Sequence, residues 1–144
     1  IVWHGDATGD RYVQVKSIMD EAARRGTAGM GTGEKVVVTI EMLRFHALSP
    51  VARATTGGNF ATRFILTVKD ARTGQVVDGP RVVVADCPAA GGARAKQEEA
   101  QGITQRMVIV DHVSGVIQHE LSQRVASGVP VVSRSTAQPT APAL

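Results

Sequence analysis

The chain carries one cysteine, Cys87. That excludes an internal disulfide framework and any metal site built on several thiolates. Aromatic residues make up only 3% of the sequence, so Val, Ile, Leu, Met and Ala must fill the core. The same scarcity removes the interleaved rings on which nucleic-acid binders stack bases. No apolar run approaches the about 18 residues of a membrane-spanning helix. There is no Gly-x-Ser-x-Gly elbow, and no pair of carboxylates stands at a spacing suited to acid–base work. An enzyme is therefore not expected, and neither a cofactor nor a bound metal.

What is present is ordinary globular material. Of 144 residues, 43% are hydrophobic and 20% charged, which suits one folded domain rather than a disordered chain. The net charge of +3 with a pI near 9.5 is a mild excess. Apart from Arg24-Arg25 the arginines are scattered singly, so a GC-rich genome accounts for them better than a nucleic-acid surface does. The chain opens at Ile1 without a methionine; a signal peptide or lipid attachment would lie upstream of it.

The stretch Phe60 to Asp86 organises the rest. Phe60, Thr62, Phe64, Leu66 and Val68 alternate onto one face, with Arg63, Ile65, Thr67 and Lys69 on the other. Asp70-Ala71-Arg72-Thr73-Gly74 suits a type I turn closed by a left-handed glycine. The return strand, Val76 to Val84, is interrupted at Asp78-Gly79-Pro80, which places it at a sheet edge or bulges it. Pro88 is expected to end it.

Before this hairpin, Ile1-Val2-Trp3 reads as a short edge strand. Asp10 stands as the N-cap of a helix whose apolar stripe is Tyr12, Val15, Met19, Ala22 and Ala23, with Gln14, Ser17, Glu21 and Arg24 opposite. Gly26 is expected to stop it. Lys35 to Leu48 reads as a long strand in which Leu43 and Phe45 fall out of phase, the mark of a β-bulge near Met42-Leu43. Ser49 to Gly58 reads as a loop. After the hairpin come a short charged helix, Ala93 to Gln101, and a long one from Ile103 to about Ala126. The long helix has the stripe Ile103, Met107, Val110, Ser114, Ile117, Leu121 and Val125. The small Ser114 and Gly115 suggest close approach to the sheet.

These elements give an α+β domain over residues 1–127 in the order β-α-β-β-β-α, two helices on one face of a mainly antiparallel sheet. Residues 128–144, rich in Pro, Ser and Ala, read as a tail and an interaction segment.

Several stretches together carry a resemblance. They are Ile1-Val2-Trp3-His4-Gly5-Asp6 with Gly9-Asp10-Arg11-Tyr12, Val38-Thr39-Ile40-Glu41, Arg44-Phe45-His46-Ala47-Leu48, Leu66 to Gly74, Asp78-Gly79-Pro80-Arg81 and Gly102-Ile103-Thr104-Gln105. This set resembles a family of uncharacterised lipoproteins from alphaproteobacteria. More distantly it is similar to the auxiliary lipoproteins of lipid-handling ABC transport systems. The resemblance spans about residues 1 to 125. It implies an envelope protein facing the periplasm, outer-membrane-associated, held to the membrane by an upstream lipid anchor and working in assembly or transport.

Candidate sites are few. His112 and His119 lie two helical turns apart, about 10.5 Å along the axis, too far to share one metal ion; a solvated helix face explains them. His4, Asp6 and Asp10 suit loop and cap chemistry. Gly26 to Gly33 is glycine-rich but has a helix before it and a strand after it, the reverse of a phosphate loop. Cys87, before a proline and without basic neighbours, reads as an inert thiol. The outer hairpin face, with Arg63 and Lys69, is expected to be joined by Arg81 and Val83. Arg44 and His46 alternate onto one strand face. Together with Pro130 and Arg134 from the tail, Arg44, His46, Arg63, Lys69 and Arg81 form the candidate partner-binding set.

The sequence thus leads to a non-enzymatic envelope domain that binds other proteins, with no nucleic-acid partner. The alternative is a carrier for an apolar, lipid-like ligand held between helices and sheet.

Overall fold

Asp10 opens the first described helix by accepting from the backbone N–H of Tyr12 and Val13 at 2.8 and 3.2 Å. The computed structural model describes residues 9–125 and 132–133. In chain order its elements are α1 (Arg11–Thr27), β1 (Lys35–His46), α2 (Pro50–Ala54), β2 (Gly58–Asp70), β3 (Val76–Val84), β4 (Cys87–Ala89), α3 (Gly92–Ala100), α4 (Gln105–Val125) and β5 (Val132–Ser133). The fold class is α+β, with a mainly antiparallel sheet. The expected strand at Ile1–Trp3 lies outside the described residues.

The sheet runs β3-β2-β1-β5, with β4 also pairing to β2. Across β1 and β2, Val38 faces Val68, Ile40 faces Leu66 and Met42 faces Phe64. The register then moves to Arg44 opposite Arg63, so Leu43 is the extra residue of the expected bulge. That extra residue returns Phe45, opposite Thr62, to the side of Phe64. At the β2–β3 turn, Asp70 Oδ1 accepts from the N–H of Arg72 and Thr73, both at 2.8 Å. Gly74 closes the turn at a φ of 73°, a region that costs a side chain energy. β3 is an edge strand whose pairing slips around Asp78-Gly79-Pro80, where the Gly79–Pro80 peptide is cis.

Three elements differ from the sequence reading. Pro88 does not end pairing: β4 carries the ladder on β2 past the end of β3, with Pro88 opposite Asn59, and an outer strand tolerates the missing donor. Pro50 to Ala54 is a helical turn rather than loop, capped by Ser49, whose Oγ accepts from Ala52 N–H at 3.2 Å. The Ser-Pro start was its signal. Within residues 128–144, Val132 and Ser133 pair in parallel with Lys35 and Val36; the remainder lies outside the described residues.

Helices α1 and α4 pack on each other and on the side of the sheet lined by Val36, Val38, Ile40, Phe64, Leu66 and Val68. Their buried stripes are rotated from those expected. In α1, Gln14 and Ile18 are buried while Tyr12 is exposed. In α4, Ile109 and Val113 join Val110, Ile117 and Leu121 in the core, and Met107 is exposed. Each helix meets two neighbours at once, so its buried arc is wider than one stripe and centred differently.

Gly26 does not stop α1. It lies within the helix at the crossing with α4, where an added Cβ would sit 2.7 Å from the Ser114 carbonyl oxygen. The close approach anticipated at Ser114 is therefore to α1 and not to the sheet. Arg106 braces the same crossing, its Nη2 donating to Glu21 Oε2 at 2.8 Å and Ser17 Oγ at 3.2 Å.

Candidate partner-binding surface

The alternation that buries Val36, Val38 and Ile40 turns Lys35, Val37, Thr39 and Glu41 to the opposite side of the sheet. Register then sets their neighbours. Arg63 lies between Arg44 and Val84, Ile65 between Glu41 and Val82, and Lys69 between Val37 and Val76. This face stays open: Val82 is 61% exposed, Val84 58% and Val76 50%. The bulge residue Leu43 is equally exposed.

Charge sits at the two ends of this surface. At one end Arg63 Nη2 donates to Asp86 Oδ2 at 2.9 Å, and Asp86 Oδ1 accepts from Thr62 N–H at 3.0 Å. The Arg63 hydrogen bond first, and the Thr62 N–H after it, hold the Asp86 carboxyl below the usual carboxylate range. The same hydrogen bond raises the Arg63 guanidinium. Arg44 adds its field to Asp86, so two guanidinium groups share one carboxylate. At the other end stand Lys35 and Lys69, both exposed.

Of the expected set, Arg44, His46, Arg63 and Lys69 share this open face, His46 lying opposite Ala61 at its margin. Arg81 does not. It pairs with Leu66 in register and so points to the helix side, where Nε donates to Glu120 Oε2 at 3.0 Å and Nη1 pairs with Asp78. Partial burial works against its charge, but the hydrogen bonds it donates to Asp78 and Glu120 outweigh it and raise the guanidinium. Val83 is buried on the same side. The pairing of β3 slips on both sides of Asp78 and the two slips cancel, so Val82 and Val84 share the open face of Val76 in the places expected for Arg81 and Val83. Pro130 and Arg134, like His4 and Asp6, lie outside the described residues.

The remaining candidates are dispersed. His112 and His119 border an open cleft between α4 and Val84, about 480 Å³ in volume, with Asp111 and Glu120. His119 Nε2 shares a hydrogen bond with the Gln123 amide at 3.1 Å. Among the described residues no group of three or more His, Cys, Asp or Glu side chains could hold a metal ion. Burial, with Asp86 beside it, pushes the Cys87 thiol up, which keeps it protonated and unreactive at neutral pH. No helix among the described residues is long and apolar enough to cross a membrane.

No curated protein matches the chain. No solved structure matches it either. Residues 1–136 match a family of unknown function, DUF6778, and the chain belongs to that family.

Proposed function

We propose that this chain is a non-enzymatic binding module that docks a protein partner on the open face of its sheet. The observation that carries this reading is the composition of that face. Its middle is Thr39, Ile65, Thr67 and Val82, and cations stand at both ends. From Arg63 to Lys69 along β2 the cations are about 20 Å apart. A surface of this kind fits a protein with an apolar patch flanked by carboxylates at matching separation. An anionic membrane surface fits less well. Lipid-binding patches cluster about four to eight cations, whereas here Glu41 and Asp86 offset part of a sparse set.

The resemblance to envelope lipoproteins supports a periplasmic, outer-membrane-associated location with an anchor upstream of Ile1. Fractionation of the full-length protein tests that part: recovery from the soluble cytosol without lipid refutes it. A photo-reactive residue placed at Thr67 in cells tests the docking reading. The expected result is one dominant protein adduct, with none from a control position at Lys96 on α3. Adducts to lipid only, or none, refute a protein partner.

A further inference from the structure

β3 is the outermost strand of the sheet, and its far edge meets no other strand among the described residues. Register decides which backbone groups lie along that edge. Ala85 N–H donates to Thr62 O at 2.8 Å, so Ala85, and Val83 two residues before it, turn their N–H and C=O toward β2. Val82 and Val84 therefore aim theirs outward. The same register continues into β4, where Pro88 stands opposite Asn59 and takes an outward position too. Pro80, just before Arg81, closes the other end, since proline has no N–H to offer. Prolines are one way sheets blunt an edge. Here they bracket a window at Val82 and Val84, residues that are 61% and 58% exposed.

Beside that window runs α4. His112, Gly115 and His119 follow one line of the helix and, with Asp111 and Glu120, face Val84 across the open cleft. Gly115 leaves room in the helix wall: a Cβ added there meets nothing within 4 Å. Charge in this cleft is one-sided. The guanidinium of Arg81 answers both Asp78 and Glu120. Asp111 has no ion pair among the described residues. Arg63 and Asp86, next to Val84 on the open side, offset each other. Three carboxylates thus meet one cation beside an unfilled strand edge.

We propose that the outer edge of β3 takes an extended segment of a protein partner as an added strand. The segment bonds to the outward N–H and C=O of Val82 and Val84, and a lysine or arginine on it reaches Asp111. Strand addition draws affinity from main-chain hydrogen bonds and specificity from alternate side chains. The alternate side chains here fall toward α4, where His112 and His119 offer ring nitrogens to polar groups and Asp111 selects a cation. Charge complementarity fixes the occupant. A second copy would set the same excess of carboxylates against its own, and an acidic segment would meet the same repulsion. This site is independent of docking on the open face: it uses a backbone edge and α4, whereas that reading uses side chains on the opposite side of the sheet.

The test is selection of a displayed library of random nonapeptides on the immobilised full chain, followed by titration of the selected peptides into the isotope-labelled chain. The expected result is a shared lysine or arginine and saturable shifts at the amides of Val82, Val84 and α4 from Asp111 to His119. Val84→Pro removes one outward donor without touching a bond to β2, so it should weaken binding about fivefold. Should that variant fail to fold, Gly115→Leu decides: its side chain fills the cleft while improving the helix, so binding should be lost with stability unchanged or raised. Asp111→Asn should weaken binding about threefold. Selection of no peptide, peptides without a common cation, or undiminished binding by Gly115→Leu overturns the proposal. Shifts at Ile65 and Thr67 in place of the β3 edge overturn it by assigning the peptides to the open face. Shifts of Val82 and Val84 that grow with protein concentration alone overturn it by assigning the edge to a second copy.

Discussion

The two faces of the sheet are built by the same strands from the same alternation, and they have opposite fates. On one side Phe64, Leu66 and Val68 are sealed beneath α1 and α4. On the other, Ile65 and Thr67 are only partly buried, and Val82 and Val84 are exposed. Sheets with one solvated face alternate apolar and polar residues cleanly, whereas sheets covered on both sides carry apolar residues on both. Here Val37, Ile65, Val76, Val82 and Val84 give the open face more apolar area than contact with water calls for. The difference separates residues kept for stability from residues free to serve binding.

Substitutions can break or sharpen that contrast. Phe64→Ala should cost about 3–5 kcal/mol, visible as a large fall in Tm, while its neighbour Ile65→Ala on the open side should cost less than half as much. Similar losses from both would erase the distinction between faces. Gly26→Val should destabilise by about 1–3 kcal/mol through overpacking, because a Cβ there meets backbone at Ser114; chemical denaturation reads the change in midpoint.

Arg81→Ala follows at about 1–2 kcal/mol, since it removes the tie between β3 and Glu120 of α4 and takes the guanidinium from Asp78, which is 7% exposed. Arg63→Ala, its counterpart on the open face, should leave Tm close to that of the parent, because its ion pair is exposed to solvent.

Acid acts on the helix side too. Partial burial pushes the Glu21 carboxyl up, but the hydrogen bond from Arg106 and the charge of Arg25 prevail and hold it below its usual 4.5. A depressed carboxylate contributes stability in full above its unfolded pKa and loses it as pH falls through the folded one. Glu21→Gln should therefore lower stability above about pH 4.5 and flatten the decline at more acid pH. An unchanged acid limb in thermal melts would contradict this assignment. The smallest effect is expected from Val84→Glu, within about 0.5 kcal/mol of the parent.

Much of the contrast was legible beforehand. Alternation along Phe60 to Lys69 separates the two faces of β2, Asp70 to Gly74 encodes the turn, and the phase change at Leu43 encodes the bulge. Those signals are local. The stripes of α1 and α4 were displaced because tertiary contact between the helices decides which arc is buried, and a sequence does not print the angle of their crossing. Arg81 lies on the helix side because alternation runs from Val76, the partner of Lys69, and that pairing is hidden in the sequence by two register slips around Asp78. Arg53 gave no signal at all: its partner Glu99 is 46 positions away, and burial of an arginine in a five-residue helix has no periodicity to announce it.

The most direct measurement combines Val82→Glu and Val84→Glu in one chain and compares two readouts in the same cells, the Tm and the photo-adduct formed from position 67. Docking on the open face predicts a Tm within a few degrees of the parent and loss of the protein adduct, because two new carboxylates repel a carboxylate-flanked partner. A persisting adduct, with the fold equally intact, would contradict the account.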